Sequence, residues 1–395
     1  MKAEALAARM DRARQAMSEA GVSAMLLSLG ADLPWLTGYT AMPLERLTML
    51  VIPGPRGSGT GHDGQPVLVV PELEAPRVAP VPDVFSVRPW AETEDPIAIV
   101  TDILHGHGSL LGGHGSLPGG HGDVGAGSVL AISDRAWATF LLRLQRVLPG
   151  ASWRPASDVT AALRSVKDDA EVEALAAAAA AADRVAASLL GGDIPLVGQT
   201  ERQVSAQLTR RLLEEGNERV NFAIVASGPN AASPHHEPTE RTIDRGEPVV
   251  CDFGGTRDGY CSDITRTVFT GPPPPELQHI YEVVAEAQAA GVGAARLGSP
   301  CSAVDDAARK VISDAGFGAY FIHRTGHGIG LEEHEDPYMV AGNSTPIVAG
   351  HAFSVEPGIY VPGRWGVRIE DIVVATADGP VNLNHADHAL TVVPR

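Results

Sequence analysis

The sequence is poor in cysteine. Its 395 residues include three, Cys251, Cys261 and Cys301, an odd number with no Cys-x-x-Cys spacing. This set argues against a disulfide framework and fits a reducing compartment. Cys251 and Cys261 flank apolar and β-branched segments, so we expect small buried hydrophobic side chains there rather than nucleophiles.

Positive charge is also scarce, and long apolar runs are absent. The chain carries 30 Lys and Arg against 48 Asp and Glu, a net charge of −18. This charge repels nucleic acid phosphates and anionic membranes. No window approaches the roughly 20 apolar residues that span a bilayer, and the N-terminal MKAEALAARMDRARQAM has no signal-peptide core. We therefore expect a cytoplasmic protein whose partners are small molecules, peptides and metal cations, without nucleic acid or membrane binding.

The length predicts two domains. Over residues 1–158, helical patterns alternate with the apolar runs VSAMLLSL, LTMLVIP, QPVLVVP and SVLAIS, which predicts an α/β domain. Two Gly-rich segments, 54–65 and 105–127, interrupt it, and the second contains four His. Their composition predicts solvated loops with no apolar face to bury.

Residues 159–395 contain an internal repeat of plan. Two helical segments, AEVEALAAAAAAADRVAASLL and QTERQVSAQLTRRLLEEG, precede a hairpin, and Thr200 and Gln203 in the second have capping-box spacing. The plan returns as PELQHIYEVVAEAQAAGVGAA, CSAVDDAARKVISDAG and the hairpin AFSVEPGIYVPGRWGVRIEDIVVAT. This pattern predicts an α+β domain built from two helix-helix-hairpin units.

The first hairpin, CDFGGTRDGYCSD, raises an electrostatic problem. An Asp-Gly pair marks its turn, and a centre between Arg257 and Asp258 would place Asp252 opposite Asp263. Like charges opposite each other destabilise a sheet. Either a cation lies between the carboxylates, or one is protonated, or the register differs.

The second hairpin repeats the arrangement, because a turn centred on Gly363 places Glu356 opposite Glu370. Four converging carboxylates repel each other, so divalent cations are the economical explanation, and oxygen ligands favour Mn²⁺, Co²⁺ or Zn²⁺. The Gly-broken loop HRTGHGIGLEEHEDP offers imidazole ligands. Four carboxylates and one imidazole would hold two ions about 3.5–4 Å apart.

The motifs DFGGTRDGYCSDITRT, HRTGHGIGLEEHE, SVEPGIY and GVRIED, with WLTGYT in the N-terminal part, resemble the pita-bread-fold metallopeptidases, closest to Xaa-Pro dipeptidases (prolidases) and aminopeptidase P. The resemblance implies an α/β creatinase-like domain over 1–158 and a pita-bread catalytic domain over 159–395. It implies two divalent ions, with Mn²⁺ favoured over Co²⁺ or Zn²⁺, and a homodimer. The implied metal ligands are Asp252, Asp263, His327, Glu356 and Glu370, of which Asp263 and Glu370 bridge both ions.

The same resemblance implies roles around the metals. Glu356 would act as the acid-base group as well as a ligand, and His235 and His334 would stabilise the developing oxyanion. His323 and Arg368 would line the pocket on the proline side, whereas His236 receives no role and is expected to be a solvated loop residue. The implied reaction is hydrolysis of Xaa-Pro bonds, in dipeptides or at peptide N-termini, by a hydroxide that bridges the two cations.

Other functions on this fold remain open from sequence. One is a creatinase-like hydrolase that cleaves carbon–nitrogen bonds in small amidino compounds, and another is a non-catalytic binding module. Both would be expected to lose metal ligands, whereas all five positions are kept here. Methionine aminopeptidase activity is a lesser alternative, disfavoured by the long N-terminal domain.

Overall fold

The computed structural model describes residues 3–54, 64–105 and 127–393. It divides into two compact units, Met1–Leu163 and Arg164–Arg395. Nearly all of the two predicted Gly-rich loops, 54–65 and 105–127, lies outside the described residues. Among those that are described, no helix is long and apolar enough to cross a membrane.

The first unit is an α/β domain around one mixed sheet. Its helices are α1 (Ala3–Glu19), α2 (Asp32–Thr37), α3 (Pro96–Leu104) and α4 (Ala138–Val147), followed by α5 (Ser157–Ser165), in which the division between the units falls. Its strands are β1 (Ala24–Leu27), β2 (Met49–Pro53), β3 (Val67–Pro71), β4 (Ser86–Trp90), β5 (Val129–Ile132) and β6 (Ser152–Pro155). They pair in the order β4-β3-β2-β1-β5-β6, antiparallel on both sides of β2 and parallel elsewhere.

This sheet forms because its central strands are continuous apolar runs. All four residues of β1 are buried, and Leu26, Met49 and Val69 join a core that α3 and α4 cover with Val100 and Leu144. Strands buried on both faces carry such runs rather than alternating patterns. The predicted α/β class of the N-terminal part is confirmed.

The second unit contains the four predicted long helices. They are α6 (Asp169–Leu190), α7 (Glu201–Glu214), α8 (Pro275–Ala294) and α9 (Ser302–Asp314). The predicted capping box is present at α7, where Thr200 and Gln203 each accept from the other's backbone N–H. An equivalent box of Asp168 and Glu171 begins α6. These caps satisfy backbone donors that a helix start otherwise leaves unpaired.

The strands of the second unit form two sheets and a separate ribbon. The strands are β7 (Arg219–Ser227), β8 (Pro248–Arg257), β9 (Tyr260–Cys261), β10 (Ile264–Phe269), β11 (Gly326–Gly328), β12 (Glu335–Met339), β13 (Ala352–Val355), β14 (Gly358–Val361), β15 (Trp365–Arg368), β16 (Asp371–Thr376), β17 (Gly379–Asn382) and β18 (Thr391–Val392). One sheet has the order β18-β10-β8-β7 with β9 on β8, the other has the order β12-β11-β13-β16-β17, and β14 pairs with β15. The helix-helix-hairpin plan therefore occurs twice, as predicted.

The register of the first hairpin differs from the prediction. Arg257 pairs with Tyr260, and both intervening residues, Asp258 and Gly259, have positive φ, which makes the turn type I′. The centre lies one residue later than expected, so Asp252 pairs with Thr265 rather than with Asp263. Asp263 precedes Thr265 by two residues, and the period of a strand brings both to the same face.

The register of the second hairpin is as predicted. Gly358 pairs with Arg368 in the β14–β15 ribbon, and Val355 pairs with Asp371 in the β13–β16 ladder. Both pairs are symmetrical about Gly363. Glu356 and Glu370 lie in the gap between the two ladders, and Glu370 instead forms a bridge with Thr265 of the first hairpin. Neither residue is therefore paired within the second hairpin, and the bridge between Glu370 and Thr265 connects the two repeats.

Candidate metal centre and active site

Three of the predicted metal ligands form a buried cluster. Asp263 immediately precedes β10, His327 lies in β11, and Glu370 lies between β15 and β16. One donor atom from each lies within 4.8 Å of the others, and the three residues are 4%, 2% and 2% exposed. A carboxylate–imidazole set of this kind suits a borderline divalent cation.

Glycine on both sides of His327 makes this position possible. A Cβ on Gly326 would collide with the Ser354 carbonyl oxygen, and one on Gly328 with the backbone of Asp336. The strand can therefore pack closely between its neighbours while it turns the imidazole towards the carboxylates.

Glu356 joins the cluster from the end of β13. Its Oε1 lies 3.2 Å from His327 Nε2, which is also 3.8 Å from Asp263 Oδ2. The backbone N–H of Glu356 donates to Thr325 O at 2.8 Å, and Ser354 Oγ donates to Glu356 Oε1 at 3.1 Å. These bonds hold the carboxylate towards the imidazole.

Asp252 approaches from β8, and its two oxygens have different surroundings. Oδ2 accepts from Arg368 Nη2 at 2.6 Å, whereas Oδ1 is buried and has no hydrogen-bond partner within the described part of the chain. Asp263 Oδ1 is in the same condition. Buried carboxylate oxygens without partners are costly, and coordination to a cation satisfies them. The donor set therefore fits divalent metal.

The pKa shifts of these carboxyl groups also indicate a site for a divalent cation. Burial, and then repulsion from the neighbouring carboxylates, hold the pKa of Asp263 and Glu370 well above the usual range. Burial also raises the pKa of Asp252, although Arg368 opposes it. Burial alone would raise the pKa of Glu356, but the hydrogen bond from His327 and nearby positive charge lower it to about 2. The protein alone supplies too little positive charge for this many carboxylates, and a cation reverses that balance.

A cavity of about 380 Å³ opens onto this cluster. Three of the predicted active-site histidines, His235, His323 and His334, line it. The His334 ring lies 3.9 Å from that of His327, centroid to centroid. The full lining is Pro234, His235, Asp263, His323, Arg324, His327, His334, Glu356 and Glu370.

Arg368 has a different place from the one expected for a pocket residue. It is 3% exposed, it is absent from the cavity lining, and its guanidinium donates to Asp252, to Thr265 Oγ1 at 3.0 Å and to Tyr360 Oη at 2.8 Å. Its guanidinium also donates to Pro234 O, in the cavity wall, at 3.4 Å. The role of Arg368 on the proline side of the pocket stays a prediction.

Sequence reasoning missed Tyr360 and Arg324. Tyr360 Oη accepts from Arg368 and lies 2.9 Å from His323 Nε2, so it couples the pocket histidine to the ion pair behind it. Arg324 lines the cavity, lies over the Tyr338 ring and has Nη2 3.4 Å from His334 Nδ1. The position of Arg324 between His323 and His327 was a signal that could have identified it.

Other expectations near the site have mixed outcomes. Cys251 and Cys261 are buried free thiols, as predicted, and burial raises the pKa of Cys261 to about 11. The interpretation of His236 as a solvated residue is wrong, because its Nε2 lies 2.8 Å from the buried Glu201 Oε2. No sequence signal linked these residues, which are 35 positions apart.

Comparison with known proteins identifies the family. Residues 172–377 match the model of metallopeptidase family M24, and residues 9–166 match the creatinase/prolidase N-terminal domain. The chain is 41% identical over 396 residues to "Probable dipeptidase PepE" of Mycobacterium tuberculosis, covering 99% of this chain and 98% of that one. It is 34% identical to the Xaa-Pro dipeptidase of Lactobacillus helveticus, covering 98% and 99%.

The fold agrees with solved structures. The crystal structure of dipeptidase PepE from Mycobacterium ulcerans superposes with a TM-score of 0.87 at 42% identity, and 100% of each chain is covered. The predicted pita-bread architecture is confirmed, and the family uses divalent metal. This chain is a metal-dependent peptidase that belongs to metallopeptidase family M24 and carries a creatinase/prolidase N-terminal domain.

Proposed function

We propose that this enzyme hydrolyses Xaa-Pro dipeptides with a two-metal centre held by Asp252, Asp263, His327, Glu356 and Glu370. The observation that carries the proposal is that Asp263, His327, Glu356 and Glu370 line one cavity. Asp252 lies behind them in an ion pair with Arg368. Asp263 and Glu370 are the bridging ligands in this proposal. Both approach His327, and Asp263 also presents an unpartnered buried oxygen.

When bound, the metal ions supply an activated water and polarise the scissile carbonyl. Glu356 is ionised at neutral pH, so its carboxylate can accept the proton of the attacking water and pass it to the leaving proline nitrogen. His235 and His334 line the cavity, where their N–H groups can donate to the oxyanion as it forms.

The size and charge of the cavity favour a small substrate with a free carboxylate. Its volume of about 380 Å³ is at the low end for ligand pockets, which run from about 300 to 1,000 Å³. Among the described residues that line it, Arg324 is the only arginine, and it can pair with the carboxylate of a dipeptide. The relative from Lactobacillus helveticus is named Xaa-Pro dipeptidase, which supports proline in the second position.

The metal and the assembly are also part of the proposal. We propose Mn²⁺ as the metal, with Co²⁺ or Zn²⁺ as alternatives, because the ligands are mainly carboxylate oxygens. We propose a cytoplasmic homodimer that binds neither nucleic acid nor membrane. The net charge of −18 disfavours binding to nucleic acid and anionic membranes. The three buried free cysteines fit the reducing cytoplasm.

One substrate panel tests the function. Protein stripped with a chelator and reloaded with Mn²⁺ is given Xaa-Pro, Xaa-Ala and N-acetyl-Xaa-Pro, and bound metal is counted by elemental analysis. We expect two ions per chain, no hydrolysis of N-acetyl-Xaa-Pro, and hydrolysis of Xaa-Pro about 10–200-fold faster than that of Xaa-Ala, since one or two methylenes in an apolar pocket contribute about 1–3 kcal/mol. Cleavage of amidino compounds without any Xaa-Pro cleavage would favour the creatinase-like alternative. Equal cleavage of Xaa-Ala would remove the proline specificity.

A further inference from the structure

Glu201, the first residue of α7, carries a fully buried carboxylate outside the cavity. Its oxygens accept from four residues, and these donors come from backbone as well as side chains. Oε1 accepts from Ser227 N at 2.8 Å, Ser227 Oγ at 2.9 Å and Asn230 Nδ2 at 3.0 Å. Oε2 lies within hydrogen-bond distance of Asn230 Nδ2, His236 Nε2, Thr239 N and Thr239 Oγ1, at 3.2, 2.8, 3.1 and 2.7 Å.

These donors all belong to one segment, residues 227–239, which runs from the end of β7 past the cavity. Pro234 and His235 of this segment line the cavity, whereas its donors to Glu201 lie on either side of them. The backbone of α7 adds to the attachment, because Arg202 N donates to Thr239 O at 3.1 Å. One buried carboxylate therefore fixes both ends of the segment that presents His235.

His235 is attached through its two neighbours. On the N-terminal side, Arg368 Nη1 donates to Pro234 O at 3.4 Å. On the C-terminal side, His236 Nε2 lies 2.8 Å from Glu201 Oε2. The His235 side chain itself is exposed at the cavity and makes no hydrogen bond within the described ranges. Its direction is therefore set by the backbone on either side.

The Glu201 carboxylate is ionised at neutral pH. Burial alone would raise its pKa, but the hydrogen bonds, led by those from Thr239 and His236, lower it to about 2. An ionised oxygen accepts stronger hydrogen bonds than an amide oxygen, and it has no N–H that would oppose the donors around it.

We propose that Glu201 is a positioning residue, which holds residues 227–239 so that His235 faces the reacting carbonyl. The proposal rests on the proposed function for the role of His235. Misplacement of an oriented group by about 1 Å costs up to about 100-fold in rate, so disrupting this attachment lowers kcat/KM by about 10–100-fold. The fall lies mainly in kcat, because the oxyanion forms only in the transition state.

The primary variants are Glu201→Gln and His236→Ala. His236→Ala removes one attachment and leaves the other donors to Glu201, so it remains testable if Glu201→Gln does not fold. His236→Gln restores an N–H donor at a similar reach and should recover most of the loss. Gln203→Ala is the matched control, since it weakens the cap of the same helix without touching the segment, and it should lower stability while kcat/KM stays unchanged.

A double-mutant cycle with His235→Ala distinguishes an effect on the position of His235 from an independent loss of activity. If Glu201 acts through His235, then His236→Ala causes little further loss of kcat/KM in the His235→Ala background. Losses that simply multiply would overturn the proposal, as would loss of bound metal that accounts for the lower rate.

Amide hydrogen exchange tests the same proposal without substrate. Peptides covering residues 228–240 should exchange faster in Glu201→Gln and in His236→Ala than in the wild type, and at the wild-type rate in Gln203→Ala. Unchanged exchange in both primary variants overturns the positioning role. A wild-type protein that is metal-replete and cleaves no Xaa-Pro substrate overturns the proposed function and the catalytic part of this inference, whatever the exchange result.

Discussion

Arg368 and Asp252 form a buried ion pair behind the candidate metal centre, with Nη2 2.6 Å from Oδ2 and side chains only 3% and 12% exposed. Arg368 comes from the second hairpin and Asp252 from the first, so the pair joins the two repeats of the catalytic unit. Nε donates to Thr265, and Nη1 donates to Tyr360 and Pro234. One side chain thus orients a metal-ligand candidate, the tyrosine behind His323 and the wall of the cavity.

The first prediction concerns this guanidinium. Arg368→Lys should lower kcat/KM by about 10–100-fold, because one ammonium group cannot reach Asp252, Thr265 and Tyr360 together. Bound metal should stay close to the wild-type amount, since Asp252 is retained. The measurement is steady-state kinetics with metal analysis, with Arg143→Lys at the exposed ion pair with Asp95 as control. Wild-type kcat/KM in Arg368→Lys would show that the multiple bonds are dispensable.

The second prediction concerns Glu370, which we propose as a bridging ligand. Glu370→Ala should abolish detectable activity and lower bound metal towards zero, because it removes one of the three converging donors and so weakens the coordination of the metal. Elemental analysis and a peptidase assay check this, with Glu276→Ala at the exposed pair with Arg364 as control. An active, metal-replete Glu370→Ala protein would mean that the bridge is assigned to the wrong residue.

The third prediction concerns the positive charge in the cavity. Arg324→Gln should lower kcat/KM for an Xaa-Pro dipeptide by about 10–100-fold, because a charge-assisted hydrogen bond contributes about 1.5–3 kcal/mol. The corresponding Xaa-Pro amide has no carboxylate, so its turnover should change little. Arg364→Gln, on the exposed surface, should leave both substrates unaffected. Equal losses for acid and amide would exclude Arg324 from carboxylate recognition.

The fourth prediction concerns metal removal and pH. In the metal-free protein the pKa values of Asp263 and Glu370 are raised by burial and mutual repulsion. In the unfolded chain these groups titrate at about 3.9 and 4.3, so above those values the folded metal-free state binds more protons and becomes more stable as the pH falls. Protons compete with metal for the same oxygens. The additional stability that bound metal gives the folded protein therefore decreases as the pH falls.

The difference in Tm between metal-loaded and chelator-treated protein should therefore narrow as the pH falls from neutrality towards the unfolded-state pKa values of about 4. Glu356 does not change this trend, because its pKa is lowered to about 2 and it stays ionised throughout. Groups away from the site cancel in the difference. One such group is His351, whose pKa burial and Lys167 lower to about 4. A difference that is constant with pH would contradict the raised values.

The elements that depend on local chemistry could be predicted from the sequence. The Asp258-Gly259 turn, the capping box of Thr200 and Gln203 and the apolar strands of the first unit were readable because turn type, helix caps and burial period are set by neighbouring residues. The second hairpin register was also readable, since Gly363 permits only a narrow choice of centre. Spacing and residue type indicated two carboxylate pairs and an imidazole-bearing loop, whereas the five ligands and three pocket histidines came from the resemblance to the metallopeptidase family.

The contacts between these side chains, and the bonds that hold them in place, depend on the folded chain and could not be predicted. The first turn lies one residue later than predicted, and Asp252 pairs with Thr265 because a type I′ turn needs both central residues at positive φ. The retreat of Arg368 behind the pocket and the attachment of His236 to Glu201 depend on contacts across 116 and 35 positions. No local pattern encodes such partners, because burial of a charge is tolerated only where the folded chain supplies its counter-charge and hydrogen bonds.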